Sequence, residues 1–279
     1  MHEVKLAVSA GFCFGVERAV KMAVLALDEL GGPVYTLGPI IHNPQEVLRL
    51  QNIGIKMAHT LDEIPGGTVV IRSHGAPKGV IEEAEKRGLK VVDATCPLVQ
   101  RLTERVRELA EDGYQVVVVG ESDHPEVMAV LSYAPDSCFV VSGPESVESA
   151  NLNKKVGLVA QTTQSLENLR DVASLCICYC QEVRTYNTIC HATHKRGAEA
   201  LELARQVQVM IVVGGKNSAN TTRLAKAVIQ GGTKTYHIES ADELNSIEVP
   251  LGVPIGVTAG ASTPGWVIEE VMVALKDMD

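Results

Sequence analysis

Aromatic residues are scarce in this sequence: one tryptophan, three phenylalanines and six tyrosines in 279 residues. So few rings offer little on which single-stranded bases could stack. There is also no block of lysine or arginine, and the formal net charge is −9. A nucleic-acid partner is therefore not expected, because phosphate backbones are gripped by a basic face. No apolar run approaches the ~18 residues of a membrane span, so no membrane association is expected. The first five residues show neither the basic n-region nor the apolar h-region of a secretory signal, which makes the cytoplasm the expected location. No linker rich in Gly, Pro or Ser divides the chain. The P-loop spacing and the Rossmann glycine fingerprint are both missing.

What is present is an alternation of short β-branched runs with longer helical stretches. The runs fall at residues 4–8, 69–71, 89–92, 116–119, 139–141, 156–159, 209–213 and 255–257. They are continuously apolar, as strands of a parallel sheet are when both faces are covered. Helices are expected over residues 16–30, closed by Gly31-Gly32, and 98–111, closed by Gly113. The expected class is α/β with parallel sheets. One unit recurs: a strand, a short polar loop, then a proline opening a helix. It occurs at His42-Asn43-Pro44, His74-Gly75-Ala76-Pro77, Cys96-Pro97, His124-Pro125 and Ser262-Thr263-Pro264. Each copy sets a polar or reactive side chain at the carboxyl end of a strand, beside a helix N-terminus, where open α/β sheets bind ligands.

Seven cysteines in a reducing compartment are not expected to be disulfide staples, and no pair has the C-x2-C spacing of structural zinc. Cys13, Cys96 and Cys190 each follow a strand-like segment and precede a helix, a position that favours thiolate. They divide the chain into near-equal thirds, which suggests three similar α/β lobes: residues 14–96, 97–188, and 189–279 together with 1–13. Three distant thiolates suit an iron–sulfur cluster with one open iron, although a lone buried cysteine is usually a small hydrophobe. Cys176, Cys178 and Cys180 fall in a helix-like stretch, residues 166–183, and are expected to be packing residues, as is Cys138. His42, His74 and His124 supply donors beside helix N-termini and suit a phosphate or diphosphate, or else sit as satisfied core histidines. Glu126, in the first turn of the helix after His124-Pro125, is either a helix-dipole partner or a proton carrier. Thr162 and Thr163 could pass a proton, bind a substrate hydroxyl or cap the helix at Leu166. Ser218 and Asn220 stand in the loop that begins at Gly214, and Ser262 in a similar loop after the last strand.

These residues lie in motifs that resemble the 4-hydroxy-3-methylbut-2-enyl diphosphate reductase family. The motifs are Gly11-Phe12-Cys13-Phe14-Gly15-Val16-Glu17-Arg18-Ala19, Gly38-Pro39-Ile40-Ile41-His42-Asn43, Arg72-Ser73-His74-Gly75 and Asp93-Ala94-Thr95-Cys96-Pro97. They continue through Gly120-Glu121-Ser122-Asp123-His124-Pro125-Glu126, Gln161-Thr162-Thr163, Asn187-Thr188-Ile189-Cys190, Lys216-Asn217-Ser218 and Thr258-Ala259-Gly260-Ala261-Ser262. The resemblance runs from end to end of the chain. It implies a pseudo-threefold arrangement of three lobes around a [4Fe–4S] cluster, with Cys13, Cys96 and Cys190 as its ligands and one iron without a protein ligand. It further implies that His42, His74, His124, Ser218, Asn220 and Ser262 hold the diphosphate, that Thr162 contacts the substrate hydroxyl region, and that Glu126 supplies a proton. Two electrons from a ferredoxin or flavodoxin and two protons would remove the allylic hydroxyl, giving isopentenyl and dimethylallyl diphosphate. Two positions depart from the family pattern: Ala219, where a serine or asparagine is frequent, and Gly197, where glutamine is common. A non-redox cluster dehydratase would need no electron donor; a cluster-based sensor would need a DNA-binding element or a partner surface, and no basic helix is present.

Overall fold

The computed structural model describes residues 3–250 and 252–278. In chain order its elements are β1 (Val4–Leu6), α1 (Phe14–Glu29), β2 (Val34–Leu37), α2 (Pro44–Asn52), β3 (Lys56–Ala58), β4 (Thr68–Ile71), α3 (Lys78–Lys86) and β5 (Lys90–Asp93). There follow α4 (Pro97–Glu111), β6 (Gln115–Val119), α5 (Pro125–Leu131), β7 (Cys138–Val141), α6 (Pro144–Glu148), β8 (Lys155–Ala160), α7 (Leu166–Tyr179) and β9 (Glu182–Thr185). The chain ends with α8 (His191–Ala204), β10 (Val209–Val213), α9 (Ala219–Gln230), β11 (Lys234–Ile238), β12 (Ile255–Ala259) and α10 (Gly265–Asp277). The strands form three four-stranded sheets, and every described pairing is parallel. The fold is α/β with three small parallel sheets, as expected.

Two compact units are distinguished: one of Met1–Glu17, Ile41–Ile53 and His191–Asp279, the other of Arg18–Ile40 and Gly54–Cys190. In the first, the sheet order is β1-β12-β10-β11. Alternate residues of a strand point to opposite faces, and β10 uses both. Val209, Ile211 and Val213 pack with Val267, Ile268, Val271 and Leu275 of α10. Met210 and Val212 pack with Ala200 and Ala204 of α8 and with Leu224, Ala225 and Val228 of α9. The run of apolar residues in Val209–Val213 thus arises because both faces of this strand are covered.

The second unit holds the sheets β3-β2-β4-β5 and β7-β6-β8-β9. In the latter, Val116, Val118 and Val159 meet Leu102, Val106 and Leu109 of α4 and Val127 and Val130 of α5. Val117, Val119, Val156, Leu158 and Ala160 meet Leu169, Val172 and Cys176 of α7 on the other face. In the former, Tyr35, Ala58 and Val69 pack with Ala84 of α3 and with Leu61, Ile64 and Leu89. Gly67, immediately before β4, has φ of +99°, and a Cβ there would collide with the Pro33 carbonyl, which already accepts the Thr68 N–H at 3.0 Å. Both the backbone conformation and the space demand glycine. Gly67→Ala is expected to destabilise this unit by about 2–4 kcal/mol, read as a lower urea midpoint at unchanged slope.

The structure departs from the sequence-based reading in three places. The helix expected over residues 166–183 stops at Tyr179: Cys180 is extended (φ −112°, ψ 154°), and Glu182–Thr185 pairs with β8, Glu182 opposite Lys155. Strand pairing outweighs the helical pattern there. The strand expected just before Cys190 correspondingly ends at Thr185, leaving residues 186–190 irregular. Finally, Pro44, Pro97 and Pro125 are first helical residues, whereas Pro77 and Pro264 sit one place earlier, as N-caps. Among the described residues no helix is long and apolar enough to cross a membrane.

Candidate active site

Each of the three cysteines singled out by position stands immediately before a helix, at the carboxyl end of a parallel sheet. Each is also pinned through its own backbone N–H. Cys13 donates to Ala261 O (3.1 Å), Cys96 to Ser73 O (2.9 Å) and Cys190 to Thr162 O (2.8 Å). None of the three is in a disulfide among the described residues, and all are only partly buried. The remaining cysteines differ. Burial pushes the Cys138 thiol up to about 12 and that of Cys176, mainly by burial and further by the nearby Cys180, up to about 11. Such thiols stay protonated and make poor ligands. Cys178 is exposed and donates its S–H to Ser174 O (3.4 Å).

In the second unit the Glu126 carboxylate is 1% exposed. Its Oε1 accepts the backbone N–H of Thr162 at 2.6 Å, and its Oε2 accepts the Thr162 hydroxyl at 2.7 Å. Thr162 thus grips the acid with its N–H and hydroxyl while its carbonyl receives the Cys190 N–H. Thr188 fixes the approach to Cys190: its Oγ1 accepts from Ala160 N (2.8 Å) and donates to Ala160 O (2.6 Å). Next to Thr162, Gln161 is fully buried. Its Oε1 accepts the Glu121 N–H, and its Nε2 has no hydrogen-bond partner among the described residues.

His124 is the N-cap of α5, and its Nδ1 accepts the Glu126 N–H at 3.2 Å. An acceptor at Nδ1 leaves a neutral imidazole its proton on Nε2, so His124 presents a donor. The His74 ring lies edge-on to it, with centroids 5.6 Å apart at 81°.

In the first unit, Ser218 caps α9 by accepting the Thr221 N–H, which leaves its own O–H as a donor. Asn220, in the first turn, has a buried Nδ2 without a partner among the described residues. A buried amide donor and a hydroxyl beside a helix N-terminus suit an anion. Ser262 donates to His42 O (3.1 Å). A Cβ on Gly215 would lie 2.7 Å from that same carbonyl, so glycine allows the two loops to approach closely. The His42 segment is further secured through Glu46, which accepts from Arg49 twice (2.9 and 2.6 Å) and from the Trp266 indole (3.3 Å).

The residues that hold these loops have no such role in the sequence-based expectations. Arg18 on α1 donates to Thr95 O (3.0 Å), next to Cys96. Asp93 accepts both the N–H and the hydroxyl of Thr95. Arg196 on α8 donates to Ser9 O (2.9 Å) and Gly11 O (2.7 Å), and Glu199 accepts the Ser9 N–H (2.9 Å). The Ser9 side chain, and to a lesser extent its backbone N–H, draws the Glu199 carboxyl below its usual range. The only available signal was an arginine one or two turns into a helix that follows a cysteine.

Residues 4–276 match the family model described as LytB protein. The chain is 51% identical to a 4-hydroxy-3-methylbut-2-enyl diphosphate reductase of Geobacter sulfurreducens, covering 99% of this chain and 98% of the relative. It is also 51% identical to the reductase of the same name from Pelobacter propionicus, with 96% of each chain covered. Among solved structures it is similar to that of (E)-4-hydroxy-3-methyl-but-2-enyl diphosphate reductase, described as the terminal enzyme of the non-mevalonate pathway: 46% identity, TM-score 0.76, all of both chains covered. The E-1-hydroxy-2-methyl-but-2-enyl-4-diphosphate reductase of Plasmodium falciparum superposes with TM-score 0.90 at 26% identity, covering 99% of this chain and 87% of that one.

Proposed function

The chain belongs to the LytB protein family, and from that membership we propose that it reduces 4-hydroxy-3-methylbut-2-enyl diphosphate using a [4Fe–4S] cluster held by Cys13, Cys96 and Cys190. It is accordingly an oxidoreductase of the non-mevalonate pathway. The observation that carries the reading is the grip of Thr162 on Glu126, joined through the Thr162 carbonyl to the backbone of Cys190. A proton carrier and a thiol ligand are thereby fixed by one residue.

The donor set fits such a cluster. Three partly exposed thiols precede helices, where the first-turn amides favour thiolate, while Cys138 and Cys176 are held as thiols by burial. Three ligands leave one iron without a protein ligand. When bound, the cluster supplies reducing electrons and a Lewis-acidic iron.

Cleaving the allylic C–O bond consumes two electrons and two protons. One proton departs with the hydroxyl as water, and the other ends on the allyl carbons, giving isopentenyl or dimethylallyl diphosphate. Glu126 Oε1 is committed to the Thr162 N–H; once the acid is protonated the Thr162 hydroxyl turns from donor to acceptor, and the transferable proton sits on Oε2. It passes to Thr162 Oγ1, whose own proton moves to the departing hydroxyl. His124, through Nε2–H, acts with His42, His74, Ser218 and Asn220 to hold the diphosphate. Ser262 joins them by turning its proton from the His42 carbonyl to a phosphate oxygen. This remote anchoring orients the reacting end. The electrons come from a ferredoxin or flavodoxin, in the cytoplasm. Each proposed lobe, residues 14–96, 97–188, and 189–279 with 1–13, carries one of the three sheets.

Anaerobic purification with iron and sulfide assays, followed by turnover of the diphosphate with a chemical reductant, tests this reading. Iron without sulfide would overturn the cluster, and turnover without reductant would make the chain a dehydratase.

A further inference from the structure

The loop between β1 and Cys13 has no regular secondary structure, and Gly11 in it takes φ of +103°. It is held from α8. The Arg196 guanidinium, 3% exposed, donates to Ser9 O and Gly11 O, while Glu199, one turn further on, takes the Ser9 N–H. Two carbonyls and one N–H within three residues fix the course of the chain into Cys13. A buried guanidinium is expensive to desolvate, and an apolar side chain of similar length would serve packing better. The arginine is explained by its directional, charge-assisted hydrogen bonds.

The same relation recurs with different residues. Arg18 on α1, the helix that follows Cys13, donates to Thr95 O (3.0 Å), one residue before Cys96. In a weaker form, Arg105 on α4, the helix that follows Cys96, lies 4.9 Å from the ring centroid of Tyr186, four residues before Cys190. The helix after each cysteine therefore carries an arginine that engages the segment leading into another: Cys13 to Cys96, Cys96 to Cys190, and Cys190 back to Cys13. We propose that Arg196 and Arg18 are positioning residues that hold Cys13 and Cys96, respectively, in their ligating arrangement, each acting from the helix that follows a different ligand. This rests on the three cysteines being the cluster ligands. Losing one arginine would free one particular thiol and leave the other two in place.

The test uses the full-length, cluster-loaded chain under anaerobic conditions. A chelator strips the metal slowly in the presence of iodoacetamide, and mass spectrometry reads which cysteine is alkylated first. In Arg196→Met the ratio of Cys13 labelling to that of Cys96 and Cys190 is expected to rise about tenfold, the scale of losing charge-assisted hydrogen bonds to a loop. In Arg18→Met the excess should move to Cys96. Arg196→Lys and Arg18→Lys, which keep a cationic donor, should restore most of the parental pattern. Labelling that rises equally at all three cysteines, or an unchanged ratio in both methionine variants, would overturn the proposal. Should Arg196→Met fail to fold or load, Glu199→Gln weakens the same loop through Ser9 alone. About a threefold excess at Cys13 is then expected, and an unchanged ratio counts against the proposal. The underlying ligand assignment fails separately: Cys13→Ser and Cys96→Ser would then keep full iron and sulfide.

Discussion

Replacing Glu126 by glutamine is expected to lower kcat by about 10²- to 10⁴-fold, the range of a general acid, with iron and sulfide content unchanged. The size of the effect follows from the site's hydrogen bonds. Glutamine fits the same space, its Oε1 accepting the Thr162 N–H and its Nε2 donating to Thr162 Oγ1, in place of the 2.6 and 2.7 Å bonds of the carboxylate. The Thr162 carbonyl continues to receive the Cys190 N–H, so the thiol side is undisturbed. Only the exchangeable proton on Oε2 is lost. The measurement is single-turnover reduction with the electron donor in excess, alongside the visible spectrum of the cluster. Thr162→Val removes the relaying hydroxyl but keeps the N–H, and about a tenfold loss is expected from it. Wild-type kcat in Glu126→Gln would show that the proton reaches the hydroxyl by another route.

Legibility in the sequence tracked uninterrupted apolar runs. Strands covered on both faces, such as Val209–Val213 and Val116–Val119, stand out as uninterrupted β-branched runs, and the parallel α/β class follows from them. The strands Val34–Leu37, Lys56–Ala58, Glu182–Thr185 and Lys234–Ile238 did not stand out. The last three lie at sheet edges, where one flank meets solvent and charged residues such as Lys56, Glu182 and Lys234 are tolerated. Val34–Leu37 is internal and buried, but Tyr35 and Thr36 break its apolar run. Cys180 and Val183 were read as helix because a local pattern cannot register that the next segment pairs with a strand nearly thirty residues away. In the candidate site, cysteines, histidines and one glutamate at strand ends were visible because their chemistry is rare in such positions. The residues that hold them were not. Arg196 reads as an ordinary helix arginine, and its partners are the backbone carbonyls of Ser9 and Gly11, 187 and 185 residues distant. Backbone acceptors leave no mark on the sequence.

Cys96→Ser is expected to abolish bound iron and sulfide and reduce turnover to background, while shifting the unfolding free energy of the cluster-free chain by less than about 0.5 kcal/mol. Cys96 is only partly buried. What it contributes to the fold is its backbone, through the N–H to Ser73 O and the carbonyl that receives the first amides of α4, and serine keeps both. Serine is a poor iron ligand beside a thiolate, so the loss should fall almost wholly on the cluster. Cys176→Ser gives the opposite pattern. Its sulfur is fully buried among Val156, Leu158, Leu169 and Val172, where a hydroxyl costs about 1–3 kcal/mol. That variant should unfold at lower urea yet load a full complement of iron and sulfide. Measuring both quantities on both variants separates a ligand from a core thiol in one experiment. Iron retained in Cys96→Ser, or lost in Cys176→Ser at a temperature where that chain stays folded, would reverse the assignment.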